Sequence, residues 1–458
     1  MRTRLAAGES RTAVEGWVLE QLTTHARSQG AHDSSARTRA AALVQEVAAT
    51  IDIPSAILDG LLSTPTSGWT MDRAGVGCRG SGDTLVHQLL AQLLPSAGAL
   101  VGPLEQDDGG VVRLPPDDTG GTLMVATVDG VHSRLSHFPL LAGFHVARAA
   151  LRDLYVMGAT PQAMLIDVHL ANDADVARLF DFIAGIGAVS GALQVPVVAG
   201  STLRIGGDLV LGDRLSGCVA AVGTAVQVRS RVGAKEGDLL LLSRGAGGGT
   251  ITTTALYHGR PQDVAPTLNL RTLRAGAMLV ASPQLLRTTH LLTDVTNGGL
   301  VGDLAPLAQR LRVDLDEGAV HASLDPRVLR LLHDVHVDPL RVSIDALLLS
   351  VAPQDLPPIQ TALAQVGAPA TVIGKVCGGR GLHLRTLGGA AELLEVSFRE
   401  APYTPLKAVV AAGPPPPTEE LEGALVAAME RARGRRDLLR ERAELGSSTD
   451  AQYEADGP

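Results

Sequence analysis

FHVARAALRDLYVMGATP, residues 144–161, is the stretch from which the fold can be read. Val146, Ala150, Leu151, Leu154 and Met157 recur at spacings of three and four, which lines one face of an α-helix with apolar side chains. Gly158 stands where a left-handed C-terminal cap is needed and Pro161 bars continuation, so the pattern predicts a helix that stops near Met157. Arg152 and Asp153 sit side by side on it, Asp153 about a turn from the end, among apolar or small neighbours. A buried acid there needs a partner. Either Arg148 or Arg152 pairs with it, or it faces a metal.

Upstream, GTLMVATVDG (residues 121–130) reads as a strand that carries Asp129 to its tip, within reach of a ligand. Before it, QDDGGVVRLP (residues 106–115) sets Asp107 and Asp108 in a glycine-rich turn ahead of another apolar run. Adjacent carboxylates repel each other; water relieves that repulsion in a solvated turn, and a hard divalent ion such as Mg2+ relieves it in a binding site. Downstream, DADVARLFDFIAGIGAVSGAL (residues 173–193) predicts a helix capped by Asn172 or Asp173, followed by the strand VPVVAG and the turn GSTLRIGGD. Gly200, Ser201 and Thr202 thus follow a strand, where backbone N–H groups and hydroxyls either cradle a phosphate or simply make a turn.

The whole chain of 458 residues calls for two main α/β domains with appendages. Residues 1–74 are expected to form a helical extension, as in EGWVLEQLTTHA and TRAAALVQEVAATI. Residues 75–226 are expected to form a first α/β domain. A second, 227–388, opens with the strand DLLLLS and closes with SIDALLLSV and PATVIGKV, and 389–458 holds the break GPPPPTEE, a charged helix and a tail. A net charge of -9 and an aromatic content of 2% argue against nucleic acid, which needs basic surface and stacking platforms. Cys78, Cys218 and Cys377 are too widely spaced for a disulfide framework or a local zinc motif, no run approaches a membrane span, and the N-terminus lacks an apolar signal core. The expectation is a cytoplasmic protein.

Taken in order, QDDGGVV, TVDGVH, RDLYVMGATP and VPVVAGSTLR, followed by LLTDVTNGGLVGDL (residues 291–304), resemble the ATP-binding proteins of the AIR synthetase superfamily over about residues 75–388. Within it, the run from Asp129 to Ala159 looks closest to the AIR-synthetase-related or selenophosphate-synthetase-related branch. The resemblance implies an α/β (α+β) two-domain PurM-like fold. Its N-terminal ATP-binding domain would pair with a second copy to form a β-barrel along which the nucleotide lies. It further implies ATP and Mg2+ as cofactors, with Asp107, Asp108, Asp129 and Asp153 as metal ligands and Arg152, Gly200, Ser201 and Thr202 beside the nucleotide. Three positions depart from the family pattern: Gln106 replaces a Gly, Arg152 an Asn and Ser201 an Asp.

Other residues carry candidate roles. Cys78, beside Arg79 in the glycine-rich GVGCRGSGDTLVH (residues 75–87), resembles the Cys-Lys pair of selenophosphate synthetase, and this loop is expected to close over phosphates. His132, three residues past Asp129, is the best placed of His132, His137 and His145 to meet a substrate, although a loop histidine is more often structural. Asp294, at the end of a strand before Asn297-Gly298-Gly299, is either a helix cap or a substrate-facing acid. SRGAGGGT (residues 243–250) lacks the lysine of a P-loop and reads as a flexible turn. Phosphoryl transfer to, or ATP-driven activation of, a small molecule is the expected activity, with a non-catalytic nucleotide-binding assembly or regulatory protein as the alternative.

Overall fold

The computed structural model describes all residues except 29–33, 52–60, 63–64, 78–79, 96–97, 116–121, 173 and 454–458, and the side chains of 444–453. The N-terminal region contributes α1 (Arg2–Ala6), α2 (Arg11–Ser28), α3 (Ala36–Ala48) and α4 (Ser81–Ala91). Val14, Val18 and Leu22 of α2 interlock with Ala40, Val44 and Val47 of α3 in a small core of their own, as the helical periodicity of both segments requires.

The first sheet is built from β1 (Ala99–Val101), β2 (Gly110–Arg113), β3 (Leu123–Gly130), β4 (Thr160–Leu170), β5 (Val197–Arg204) and β6 (Leu215–Ala225). Its order is β1-β2-β3-β6-β4-β5, antiparallel throughout except for the final β4/β5 pair. Two helices cover one face: α5 (Pro139–Val156) between β3 and β4, and α6 (Ala177–Leu193) between β4 and β5. Helix α5 ends as its sequence predicts, with Gly158 at φ +81° just beyond it. Helix α6 starts later than expected, at Ala177, where the Asp175 carboxylate accepts the Ala177 N–H at 2.8 Å; Asn172 lies outside it and Asp173 is among the residues not described. The two helices cross on glycines. A Cβ on Gly143 would lie 2.0 Å from the Phe182 carbonyl oxygen and one on Gly185 2.1 Å from that of Leu140, so the backbones touch as only glycine permits. Leu151, Leu154, Phe182 and Ile186 fill the space beneath, each burial contributing about 1.5–3 kcal/mol.

The second unit begins with β7 (Leu239–Ser243), α7 (Gly249–Tyr257), α8 (Arg271–Ala281), α9 (Pro283–Thr288), β8 (Thr289–Asp294) and α10 (Gly299–Ala308). It continues with β9 (Arg312–Asp316), α11 (Glu317–Ser323), α12 (Pro326–Asp334), β10 (Leu347–Val351), α13 (Leu356–Gln365), β11 (Ala370–Cys377), β12 (Gly381–Arg385) and β13 (Ala391–Leu394). Its sheet runs β13-β12-β9-β11-β7-β10-β8. The apolar runs LLLL at 239–242 and LLL at 347–349 become neighbouring central strands buried on both faces, which is why neither alternates.

Beyond it, α14 (Pro405–Ala411) and α15 (Thr418–Tyr453) return to the N-terminal region. Arg431 donates to the Thr66 carbonyl at 2.8 Å and Arg436 to that of Leu93 at 2.9 Å. Among the described residues no helix is long and apolar enough to cross a membrane.

Candidate functional site

Strand β3 delivers Asp129 to its end, and α5 presents Arg148, Arg152 and Asp153 on the side facing the second unit. Opposite stand Asp294, the last residue of β8, and Asp345, just before β10. Arg152 joins them. Its guanidinium pairs with Asp294, reaches an Asp345 oxygen at 2.6 Å and stands 3.4 Å from Asp153. Arg148 also grips Asp345, which holds φ at +52°, a left-handed conformation stabilised by these two ion pairs and by Thr272 donating to its carbonyl at 2.9 Å. Asp294 is therefore no helix cap; α10 starts on Gly298 at φ +89° with no side-chain cap, and the carboxylate is an ion-pair partner between the two units.

A second arginine holds the acid pair. Arg231 pairs with Asp108, stands 3.3 Å from Asp107 and 3.9 Å from Asp303, while Ser230 donates to Asp107 at 3.0 Å and Thr293 to Asp108 at 2.8 Å. Gln106, where the family pattern has glycine, sits at φ +49°, so the turn keeps a glycine conformation with a side chain in place.

Charge in this region is unbalanced: three guanidinium groups, Arg148, Arg152 and Arg231, pair with six aspartates, Asp107, Asp108, Asp153, Asp294, Asp303 and Asp345, and Asp129 adds its charge beside Arg152. Burial pushes the Asp153 carboxyl well above the usual range, and Asp129, Asp294 and Asp108 push it further against the pull of Arg152. Asp107 is raised as well, by burial and by Asp108. On Arg152, burial disfavours the charge but Asp294, Asp153, Asp345 and Asp129 outweigh it, and its pKa is driven up. The Asp129 Oδ2 atom is buried without a hydrogen-bond partner among the described residues.

Asp129, Arg152 and Asp153 open onto a cavity of about 880 Å3 between the two units. The sequence motif SRGAGGGT forms part of its wall, a correction to its reading as a flexible turn. Gly248, Gly249 and Thr250 line the cavity at the start of α7, and Gly247 takes φ +78° against the Ile251 side chain. His132 lines it too, its Nε2 3.1 Å from the Tyr403 hydroxyl; burial, helped by Lys407 and Arg134, lowers its pKa to about 4 and keeps it neutral. His145 is buried deeper, with Nδ1 facing Arg148 at 3.2 Å, which leaves Nε2 to donate to Thr252 at 2.8 Å; burial and Arg148 lower its pKa to about 3. It too borders the cavity, with both ring nitrogens held by Arg148 and Thr252.

The expected site residues are thus not all in one place. Asp129, Asp153, Arg152 and His132 line the cavity; Asp107, Asp108 and Asp294 lie behind it in the ion-pair network. Gly200, Ser201 and Thr202 occupy β5, the exposed edge strand of the first sheet, and none lines the cavity. Cys78 lies outside the described residues. The glycines of the loop around it serve close contact: a Cβ on Gly80 would lie 2.2 Å from the Phe398 carbonyl oxygen and one on Gly82 2.3 Å from that of Ala74. Among the described residues, no group of three or more His, Cys, Asp or Glu side chains forms a ready-made metal site. Asp345, Arg231, Glu400, Tyr403 and Lys407 carry no local sequence signal, since only the fold brings them here.

Residues 106–225 match the family model described as AIR synthase related protein, N-terminal domain, and residues 235–386 match its C-terminal domain. The uncharacterized protein MJ1416 of Methanocaldococcus jannaschii is 42% identical over 414 residues, 88% of this chain and 89% of that one. The chain belongs to the AIR synthetase superfamily. A selenide, water dikinase of Myxococcus xanthus is 32% identical over 241 residues, 50% of this chain and 64% of the dikinase. The superfamily's two-domain PurM-like fold is also seen in a HypE–HypF complex (TM-score 0.54, 14% identity, 68% of this chain and 99% of that one). It is seen again in the hydrogenase maturation protein HypE in complex with ATP (TM-score 0.51, 19% identity, 62% and 87%).

Proposed function

We propose that this superfamily member binds Mg-ATP in the cavity between its two units and uses it to phosphorylate or activate a small molecule. The observation that carries this reading is the under-compensated carboxylate cluster at the cavity, with Asp129 Oδ2 unpartnered and Asp153 forced toward its protonated form by burial and its acidic neighbours. A divalent cation offsets such a cluster. The lack of a ready-made cage fits magnesium, which takes one or two carboxylates and fills its octahedron with water and phosphate oxygens. Asp129 and Asp153 would hold the ion from the cavity side, with Asp107 and Asp108 joining it when Arg231 turns toward phosphate. When bound, the ion neutralises charge on the phosphates. Arg152, anchored on both units, holds α5 in register with the opposite wall, and Gly248, Gly249 and Thr250 offer backbone N–H groups and a hydroxyl to anionic oxygens. The ATP-bound HypE and the selenide, water dikinase support the nucleotide as ligand.

Homodimerisation belongs to the same proposal. Met124 and Val128 on β3, and Val198 and Leu203 on the edge strand β5, are exposed apolar side chains of the first sheet, suited to pairing with a second copy. Gly200, Ser201 and Thr202, on that edge strand and outside the cavity, would then lie at the interface. The test is calorimetric titration with Mg-ATP alongside a phosphate-release assay. Tight binding that Asp129→Asn weakens at least tenfold is expected, and no binding at millimolar nucleotide defeats the proposal. The hold of Arg231 on Asp107 and Asp108 favours one alternative, nucleotide binding without turnover. Steady phosphate release abolished by Asp129→Asn excludes it.

A further inference from the structure

A segment that lines the cavity lies outside both family matches. Residues 399–411, following β13 and running through α14, contribute Glu400, Pro402, Tyr403, Leu406, Lys407 and Val410 to the wall. The segment is firmly seated: Phe398, at its start, packs against Gly75 and Gly82, and Arg399 donates to the Asp72 carbonyl at 3.1 Å. Its polar groups are ordered. Glu400 is buried, with one oxygen paired to Lys407, whose ammonium lies 4.4 Å from the centre of the Tyr403 ring; the Tyr403 hydroxyl meets His132. The other carboxylate oxygen, Oε2, is buried and has no hydrogen-bond partner among the described residues. Such an atom forfeits its hydration unless a ligand or water replaces it.

We infer that this lobe binds the acceptor, and that the acceptor is a small organic molecule with an apolar body and an N–H or O–H group donated to Glu400. The inference rests on the nucleotide reading above and names the substrate class for the same cavity. Leu406, Val410 and Pro402 supply apolar surface that a bare inorganic anion cannot use. Lys407 already balances the charge of Glu400, and what the free oxygen lacks is a donor, which an N–H or O–H group on an organic body supplies; hydrogen selenide has no apolar body to match this wall. Because both family-wide domains leave the lobe to the 399–411 segment, that segment selects the acceptor while the shared domains handle the nucleotide.

The full chain, with Mg2+ and a non-hydrolysable ATP analogue at pH 8, is examined by saturation-transfer NMR with butylamine, 1-butanol and butyrate. The expected result is transfer to butylamine and butanol at least fivefold above butyrate, lost in the Glu400→Leu/Lys407→Met double variant. Leu406→Lys, at an exposed position, provides a second variant that leaves the core untouched and is expected to weaken both signals. Equal transfer to butyrate, signals that survive both variants, or no transfer from any probe overturns the inference. So does faster ATP consumption with hydrogen selenide alone. A fluorescent ATP analogue titrated into the wild-type chain separates the two readings. Failure to bind it defeats the nucleotide proposal, whereas binding without discrimination among the probes defeats only the acceptor.

Discussion

Replacing Arg152 by leucine removes a side chain that ties α5 to both Asp294 and Asp345. Asp345 keeps Arg148, so the loss falls mainly on Asp294, whose side chain is 1% exposed, and on Asp153 beside it. Breaking a buried pair costs about 3–5 kcal/mol, because the remaining carboxylate loses its direct countercharge after giving up water. Arg152→Leu is therefore expected to lower unfolding free energy by about that amount. Removing the partner as well tests the cause. In Arg152→Leu/Asp294→Leu no charge is stranded at that pair, and apolar replacement of a buried ion pair is close to neutral, so most of the loss should return. The assay is urea unfolding followed by circular dichroism at pH 7.5 without divalent ions, comparing midpoints at equal slope. Added Mg2+ should stabilise the single variant by about 2.7 kcal/mol at a hundredfold excess over its dissociation constant, and wild type by less. A single-variant loss under about 1 kcal/mol, or a double variant less stable than the single, would refute this account of the network.

Three further outcomes follow from the geometry. Burial, opposed by Lys407, raises Glu400 from 4.5 to about 7, so its contribution to stability is full below pH 4.5 and is lost as pH rises through 7. The stability of Glu400→Gln relative to wild type should accordingly climb between pH 4.5 and 7, by on the order of 3 kcal/mol, in denaturation curves at stepped pH. His145 has the opposite sign: its pKa falls from 6.5 to about 3, so its share of stability is present above pH 6.5 and lost on acidification, and His145→Gln should flatten the acid limb below pH 6. At the α5/α6 crossing, Gly143→Val should cost more than about 3 kcal/mol by overpacking, seen as a lowered thermal midpoint, whereas Gly187→Ala, with open space around its Cβ position, should be neutral or slightly stabilising.

What could be read from the chain in advance was whatever depends on neighbours in sequence. The helix 139–156 and its glycine stop, the strand ending in Asp129, the strands at 239–243 and 347–351 and the paired N-terminal helices all follow from periodicities and caps that a few consecutive residues encode. The order of the aspartate motifs carried the family for the same reason. The mutual arrangement of those aspartates is a tertiary matter. Asp294 looks equally like a cap or a ligand until β8 is laid beside α5, and SRGAGGGT looks like a loose turn until its glycines are pressed against Asp345 and Ile251. Arg231 and Asp345 sit in unremarkable local sequence, 123 and 193 residues from the groups they bind. Electrostatic partnership depends on distance in space, which a sequence does not contain, so the sequence determined which acids were available and the fold decided which are held by arginine and which face the cavity. The closing wall at 399–411 is the clearest case: Glu400 is an ordinary acid near a proline until burial, Lys407 and the packing of Phe398 set it in the wall of the cavity.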